Sequence, residues 1–149
     1  MSTTTQRWTS ADLEKLPDDG TRYEIIDGEL FMSPPPHLYH QGVCTDLSGM
    51  LWYWNDNALL GRVLDGAGLT LDIDEVVIPD IIWISNERLK TAVGADVKIG
   101  QMPELVVEVL SPGKTNEKRD RVTKLALYSR RGVDEYWIVS WQARSIEIY

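Results

Sequence analysis

Two carboxylates stand where a folding chain has least tolerance for them. Asp80 lies inside the run Val76-Val77-Ile78-Pro79-Asp80-Ile81-Ile82-Trp83-Ile84, and Glu108 inside Leu105-Val106-Val107-Glu108-Val109-Leu110. Both runs are short, rich in β-branched residues and almost wholly apolar, the composition of strands covered on both faces. A carboxylate buried there without a partner costs several kcal/mol. The fold must therefore bring a cation shared by the two strands, or answer each acid separately with an arginine or an exposed sheet edge.

At 149 residues and 43% hydrophobic content, the chain has the size of one domain, 1–149, with a core of its own. No apolar stretch approaches the ~20 residues that cross a bilayer, and Met1–Trp8 lacks the basic-then-apolar order of a leader. A soluble cytoplasmic protein without a membrane partner is expected, and the single cysteine, Cys44, suits a reducing compartment.

The net charge of −8 argues against a phosphate-binding surface until its distribution is considered. Lys114, Lys118, Arg119, Arg121, Lys124, Arg130 and Arg131 crowd the segment after Glu108, against only Glu117 and Asp120. One basic segment thus stands on an acidic body, and Lys118 and Arg121 are candidate contacts to a substrate phosphate. A solvated helix of mixed charge is the other reading.

A short helix is expected to open at Thr9 or Ser10 and stop near Pro17. Arg22–Ile26 and Glu29–Met32 flank Asp27-Gly28, a hairpin turn dipeptide, and the implied register sets Glu24 opposite Phe31. A long helix follows from about His37 to Leu60, with Val43, Leu47, Met50, Leu51, Trp54 and Ala58 on one stripe, His40 extending it and Gly61 as its stop. Arg62–Leu64 and Leu69–Ile73 read as a second hairpin around Gly66-Ala67-Gly68, leading into the Asp80 strand. Asn86 to Met102 reads as a loop. After the Glu108 strand a helix begins near Thr115 or Asn116 and ends at Gly132, then Glu135–Ser140 and Ser145–Tyr149 finish as paired strands. The order predicts a mixed α+β domain with a central sheet flanked by helices.

Residues two apart in a strand share a face, so Glu108 points with Val106 and Leu110. If Asp80 faces the same side, the two acids suit Mg²⁺ or Mn²⁺, hard cations that prefer oxygen ligands. Pro79, which has no N–H for a ladder, favours a strand edge or bulge at that point.

The run Tyr23-Glu24-Ile25-Ile26-Asp27-Gly28-Glu29-Leu30, then Pro79-Asp80, then Pro103 through Pro112, then Lys124 with Tyr128, and finally Gly132 through Val139 together resemble the Uma family of restriction-endonuclease relatives, in the PD-(D/E)XK nuclease superfamily. The resemblance spans nearly the whole chain. It implies a restriction-endonuclease-like core, a divalent metal and hydrolysis of DNA phosphodiester bonds, with Asp80, Glu108 and Glu24 as metal ligands. The superfamily pattern has a lysine two residues after the second acid, where this chain has Leu110. In the family a lysine of the following helix takes that place, and the matching residue is Lys124. On that helix Lys124 lies opposite the aliphatic face of Val122, Leu125, Ala126 and Ser129, so it is either enclosed beside Leu127 and Tyr128 or a snorkelling surface lysine.

In the mechanism that follows, a metal on these acids activates water, and Lys124 orients that water or stabilises the transition state. His40 touches the substrate phosphate or an acidic ligand, or is a hydrogen-bonded core histidine. A catalytically inactive nuclease-fold module for binding or assembly is the competing reading, favoured by Leu110 and the acidic balance. Cys44, four residues after His40, raises a thiol-hydrolase reading that has no third group to support it. Asp72, Asp74 and Glu75 read as a solvated strand end, and Trp52, Trp54, Trp83, Trp137 and Trp141 as mostly core. The chain end reads as a shortened copy, and an open sheet edge together with two-strand cutting suggests a homodimer.

Overall fold

In a computed structural model that describes residues 6–149, the first hairpin is built as its turn chemistry dictates. Asp27 and Gly28 hold φ of 53° and 77°, the positive values a two-residue turn of this kind demands. β1 (Arg22–Ile26) and β2 (Glu29–Ser33) pair antiparallel with Glu24 opposite Phe31. Before them stands a short helix, α1 (Ser10–Leu13), closed by a capping box between Thr9 and Asp12. Residues 1–5 of the polar N-terminal segment lie outside the described residues.

The chain next forms α2 (Leu38–Ala58), β3 (Gly61–Asp65), β4 (Leu69–Asp72), β5 (Glu75–Val77) and β6 (Ile81–Ser85). The expected second hairpin does not exist. β3 pairs with β6, Gly61 opposite Ser85, while β4 turns away to pair with β5. The apolar strand β6 needs both edges satisfied, and β3 covers one while β7 (Leu105–Val109) covers the other. The long Asp80 run is also not one strand. It breaks at Ile78-Pro79-Asp80, where the missing N–H of Pro79 ends the ladder.

Two sheets result, ordered β2-β1-β5-β4 and β3-β6-β7-β8-β9. Strand β7 runs parallel to β8 (Glu135–Ser140), and β9 (Ser145–Ile148) pairs antiparallel with β8, as expected. Between β7 and β8 the chain crosses through α4 (Lys114–Lys118), a π-helical turn (Arg119–Lys124) and α5 (Leu125–Arg130). The presumed loop from Asn86 holds a further helix, α3 (Asn86–Ala92), capped by Ser85, and puts Ala92, Ile99 and Met102 into the core. At seven residues it is too short for periodicity to announce.

The five-stranded sheet carries a core on each face. Ile82, Ile84, Val106 and Ile138 meet Leu127 and Tyr128 on one side, together with Ile26 and Val77 of the smaller sheet. Ile81, Val107, Val109 and Val139 meet Cys44, Val43, Leu47 and Leu51 of α2 on the other. Met50, Trp52 and Trp54 are exposed, and Trp54 meets the Trp83 ring edge-on. No described helix is long and apolar enough to cross a membrane.

Gly61 does not stop α2, which ends instead at Leu59 in the left-handed region. It lets β3 approach β6. A Cβ there would overlap the Ile84 carbonyl oxygen and come within 2.6 Å of the Trp83 ring. Gly61→Ala is expected to lower stability by about 2 kcal/mol, the scale of overpacking in a dense core. Urea unfolding of the two proteins checks this, and equal midpoints would contradict the packing.

Candidate functional site

Four elements deliver charge to one cleft of about 130 Å³. Strand β1 brings Glu24, whose Oε1 accepts a hydrogen bond from the Ile78 N–H at 2.7 Å. The end of the broken run brings Asp80. Its Oδ2 accepts from the Val109 N–H at 2.9 Å and meets His40 Nε2 of α2 at 3.1 Å, while Oδ1 accepts from Arg22 Nη1 at 3.0 Å. Strand β7 brings Glu108, pointing with Val106 toward α5 as the alternation requires. Lys124 closes the set: its Nζ lies 2.8 Å from Glu108 Oε1 and 3.0 Å from Glu24 Oε1, with only 2% of its side chain exposed.

Lys124 is thus enclosed, the first of the two alternatives its helix position offers. Leu127 and Tyr128 face inward with Lys124, while Val122, Ala126 and Ser129 are exposed. The inner face wins because its polar atoms are answered: Tyr128 OH donates to Glu108 Oε1 at 2.8 Å, and its ring meets Tyr136 edge-on. The π-helical turn ends at Lys124 and also holds Asp120, both buried at the cleft. Such turns are rare and recur at functional sites.

Lys118 is exposed, and Arg121 pairs with Glu117 and Glu147; neither lines the cleft. Arg119, between them, does. Arg22, Arg119 and Asp120 are the residues that sequence reasoning passed over. Arg22 was within reach of it, being two residues before Glu24 on the same strand face. So was Asp120, one helical turn before Lys124. Glu75, taken for a solvated strand end, is buried against Arg130 and Arg131.

Burial, with the charges of Asp80, Asp120 and Glu24, pushes Glu108 up to about 8 despite the opposing ammonium of Lys124. Burial likewise raises Asp120 to about 6 against the pull of Lys124 and Arg119. Burial would raise Asp80 too, but the His40 hydrogen bond, the charges of His40 and Lys124 and the Val109 N–H hold it down at about 2. Lys124 is held firmly charged: burial works against its ammonium, and Glu108, Glu24 and Asp120 outweigh it. Burial first, then neighbouring acids, pushes the Cys44 thiol up to about 12, which leaves no thiolate for a hydrolase.

The donor set fits a hard divalent cation. It is made of carboxylate oxygens, and Asp120 Oδ1 is buried with no hydrogen-bond partner among the described residues, Arg119 Nε standing 3.8 Å from it. Glu24, Asp80 and Glu108 could hold such an ion. Among the described residues, the ligand atoms gathered within 4.8 Å of one another are those of a softer group, His40, Cys44 and Asp80; Glu24, Asp80 and Glu108 line the same cleft without coming that close together. In the softer group His40 already links the other two, its Nδ1 standing 3.7 Å from Cys44 Sγ.

The sequence model of the Uma2 family, described as "Putative restriction endonuclease", matches residues 10–149. The chain belongs to this family. Its fold is that of a nuclease-like protein from Anabaena variabilis, titled a putative nuclease of the DUF820 group: the TM-score is 0.74 at 20% identity, over 95% of this chain and 78% of that one. No curated protein matches it. In this Uma2 member Leu110 is buried in the core at the superfamily's lysine position, and the helix-borne Lys124 reaches Glu108 from the facing side.

The raised acids have a consequence for stability. A carboxyl whose folded pKa exceeds its ordinary value stabilises the fold in its protonated form. For Glu108 that contribution is complete below 4.5 and lost as pH rises through about 8; for Asp120 it is complete below 3.8 and lost through about 6. Asp80 has the opposite sign, its contribution present above 3.8 and lost as pH falls through about 2. The thermal midpoint is therefore expected to fall between pH 5 and 9, and Glu108→Gln to flatten that decline above pH 6. Circular-dichroism melts of the two proteins measure it; parallel profiles would show that Glu108 is not the titrating group.

Proposed function

We propose that this protein is a metal-dependent endonuclease that hydrolyses phosphodiester bonds of DNA in the cytoplasm, with Mg²⁺ or Mn²⁺ as cofactor. The observation that carries the reading is the position of Lys124, a helix residue brought within 3.0 Å of two buried acids that come from different sheets. The geometry is hard to explain as structure alone, because burying three ionisable groups rarely improves stability over apolar packing. Membership of a family described as a restriction endonuclease supports it.

Asp80, Glu108 and Glu24 are the residues that would hold the ion. Bound there, such an ion would supply a lowered pKa for a water ligand and charge neutralisation at the scissile phosphate. His40 and the Val109 N–H fix Asp80 in one orientation. Lys124 donates to Glu108 and ion-pairs with Glu24, and a remaining N–H would serve an attacking water or a phosphate oxygen. Two copies acting on opposite strands would make the active species a homodimer.

Plasmid DNA incubated with the protein and Mg²⁺ or Mn²⁺ is expected to be nicked or linearised, and Asp80→Asn to slow this by ~10²-fold or more. DNA binding without cleavage in either metal would favour the inactive-module reading instead. Lys124→Ala is also expected to lose cleavage and to weaken the fold. It leaves Glu24 and Glu108 buried without a counter-charge and should cost about 3 kcal/mol, readable by urea unfolding.

A further inference from the structure

We infer that Arg22 is the resident counter-ion of Asp80, competing with a divalent cation for Asp80 Oδ1 and transferring to a phosphate of the nucleic acid when a cation takes that oxygen. The inference rests on the proposed nuclease reading and adds to it a residue that binds metal competitively and substrate directly.

The two oxygens of Asp80 are not equivalent. Oδ2 is saturated by two buried donors, His40 Nε2 and the Val109 N–H. Among the described residues Oδ1 has one partner, Arg22 Nη1 at 3.0 Å, and it is the oxygen a cation entering the cleft would meet. A guanidinium and a divalent ion on the same oxygen weaken each other, because like charges placed side by side repel when partly desolvated.

Of the cations at the cleft, Arg22 is the one able to yield. Lys124 is 2% exposed and tied to two carboxylates, and Arg119 is 12% exposed and held by Asp120 and Ser33, whereas the Arg22 side chain is 32% exposed and, apart from Asp80, its Nη1 reaches only the Ile78 carbonyl among the described residues, at 3.3 Å. A guanidinium has five donors in a planar fork that matches a phosphate, and this one uses a single nitrogen on protein. It leaves the same strand face as Glu24, so its new position stays beside the acids.

Calorimetric titration with Mn²⁺ tests the competition without reference to activity. Arg22→Gln, folded by circular dichroism, is expected to bind Mn²⁺ about tenfold or more tightly than the unaltered protein. It is also expected to bind a short DNA duplex in Mn²⁺ more weakly, with a salt dependence shallower by about one ion. Arg22→Lys, which keeps the charge but loses the fork, should fall between the two for both ligands, and carries the test if Arg22→Gln does not fold. Mn²⁺ binding that Asp80→Asn abolishes but neither Arg22 variant tightens overturns the role of Arg22 and leaves the nuclease reading standing. If the unaltered protein binds no Mn²⁺, the metal-dependent reading falls, and this inference with it.

Discussion

A lysine almost fully withdrawn from water can be tolerated only where acids surround it, and the architecture is organised to supply them. Glu24 comes from the four-stranded sheet, Glu108 from the five-stranded sheet and Lys124 from the helical crossover, so one ammonium ties three layers together. The same oxygen of Glu108 also accepts the Tyr128 hydroxyl, and Tyr128 packs on Tyr136 within the main core. Removing any member leaves the others buried without compensation, which is why such a cluster constrains its surroundings more strongly than an apolar contact of equal area.

The cluster also explains how an acidic protein manages its basic segment. Most of those cations are used within the molecule. Arg130 and Arg131 neutralise Glu75, Arg131 reaches Asp72, and Arg121 joins Glu117 to Glu147 on the last strand. Lys124 is enclosed. What remains near the cleft is Arg119, whose Nε stands 3.8 Å from Asp120 Oδ1 with no hydrogen-bond partner among the described residues, and the partly exposed Arg22. The positive charge left at the cleft is therefore carried by these two arginines.

Much of the fold could be read from the chain because local rules decided it. The Asp27-Gly28 turn set the register of the first hairpin, and the alternation along Leu105–Val109 put Glu108 on the helix side. Reading failed where two local solutions were equally good. Arg62–Leu64 and Leu69–Ile73 looked like partners across a glycine-rich turn, yet the unsatisfied edge of β6 drew β3 away. The crossover helix offered two faces, and the more aliphatic one was left outside because the other could neutralise buried acids.

The amino-acid sequence by itself determined that two carboxylates would be carried into the interior on apolar runs, that a proline would break the ladder beside one of them, and that a countering charge had to arrive. These follow from composition and periodicity, which act between near neighbours. Only the tertiary structure decided which cations answered: Lys124 for Glu24 and Glu108, Arg22 and His40 for Asp80. The pairing of Arg22 with Asp80 joins residues that are 58 positions apart. Electrostatic partners are chosen by distance and burial in space, and a linear chain records the charges without recording which of them meet.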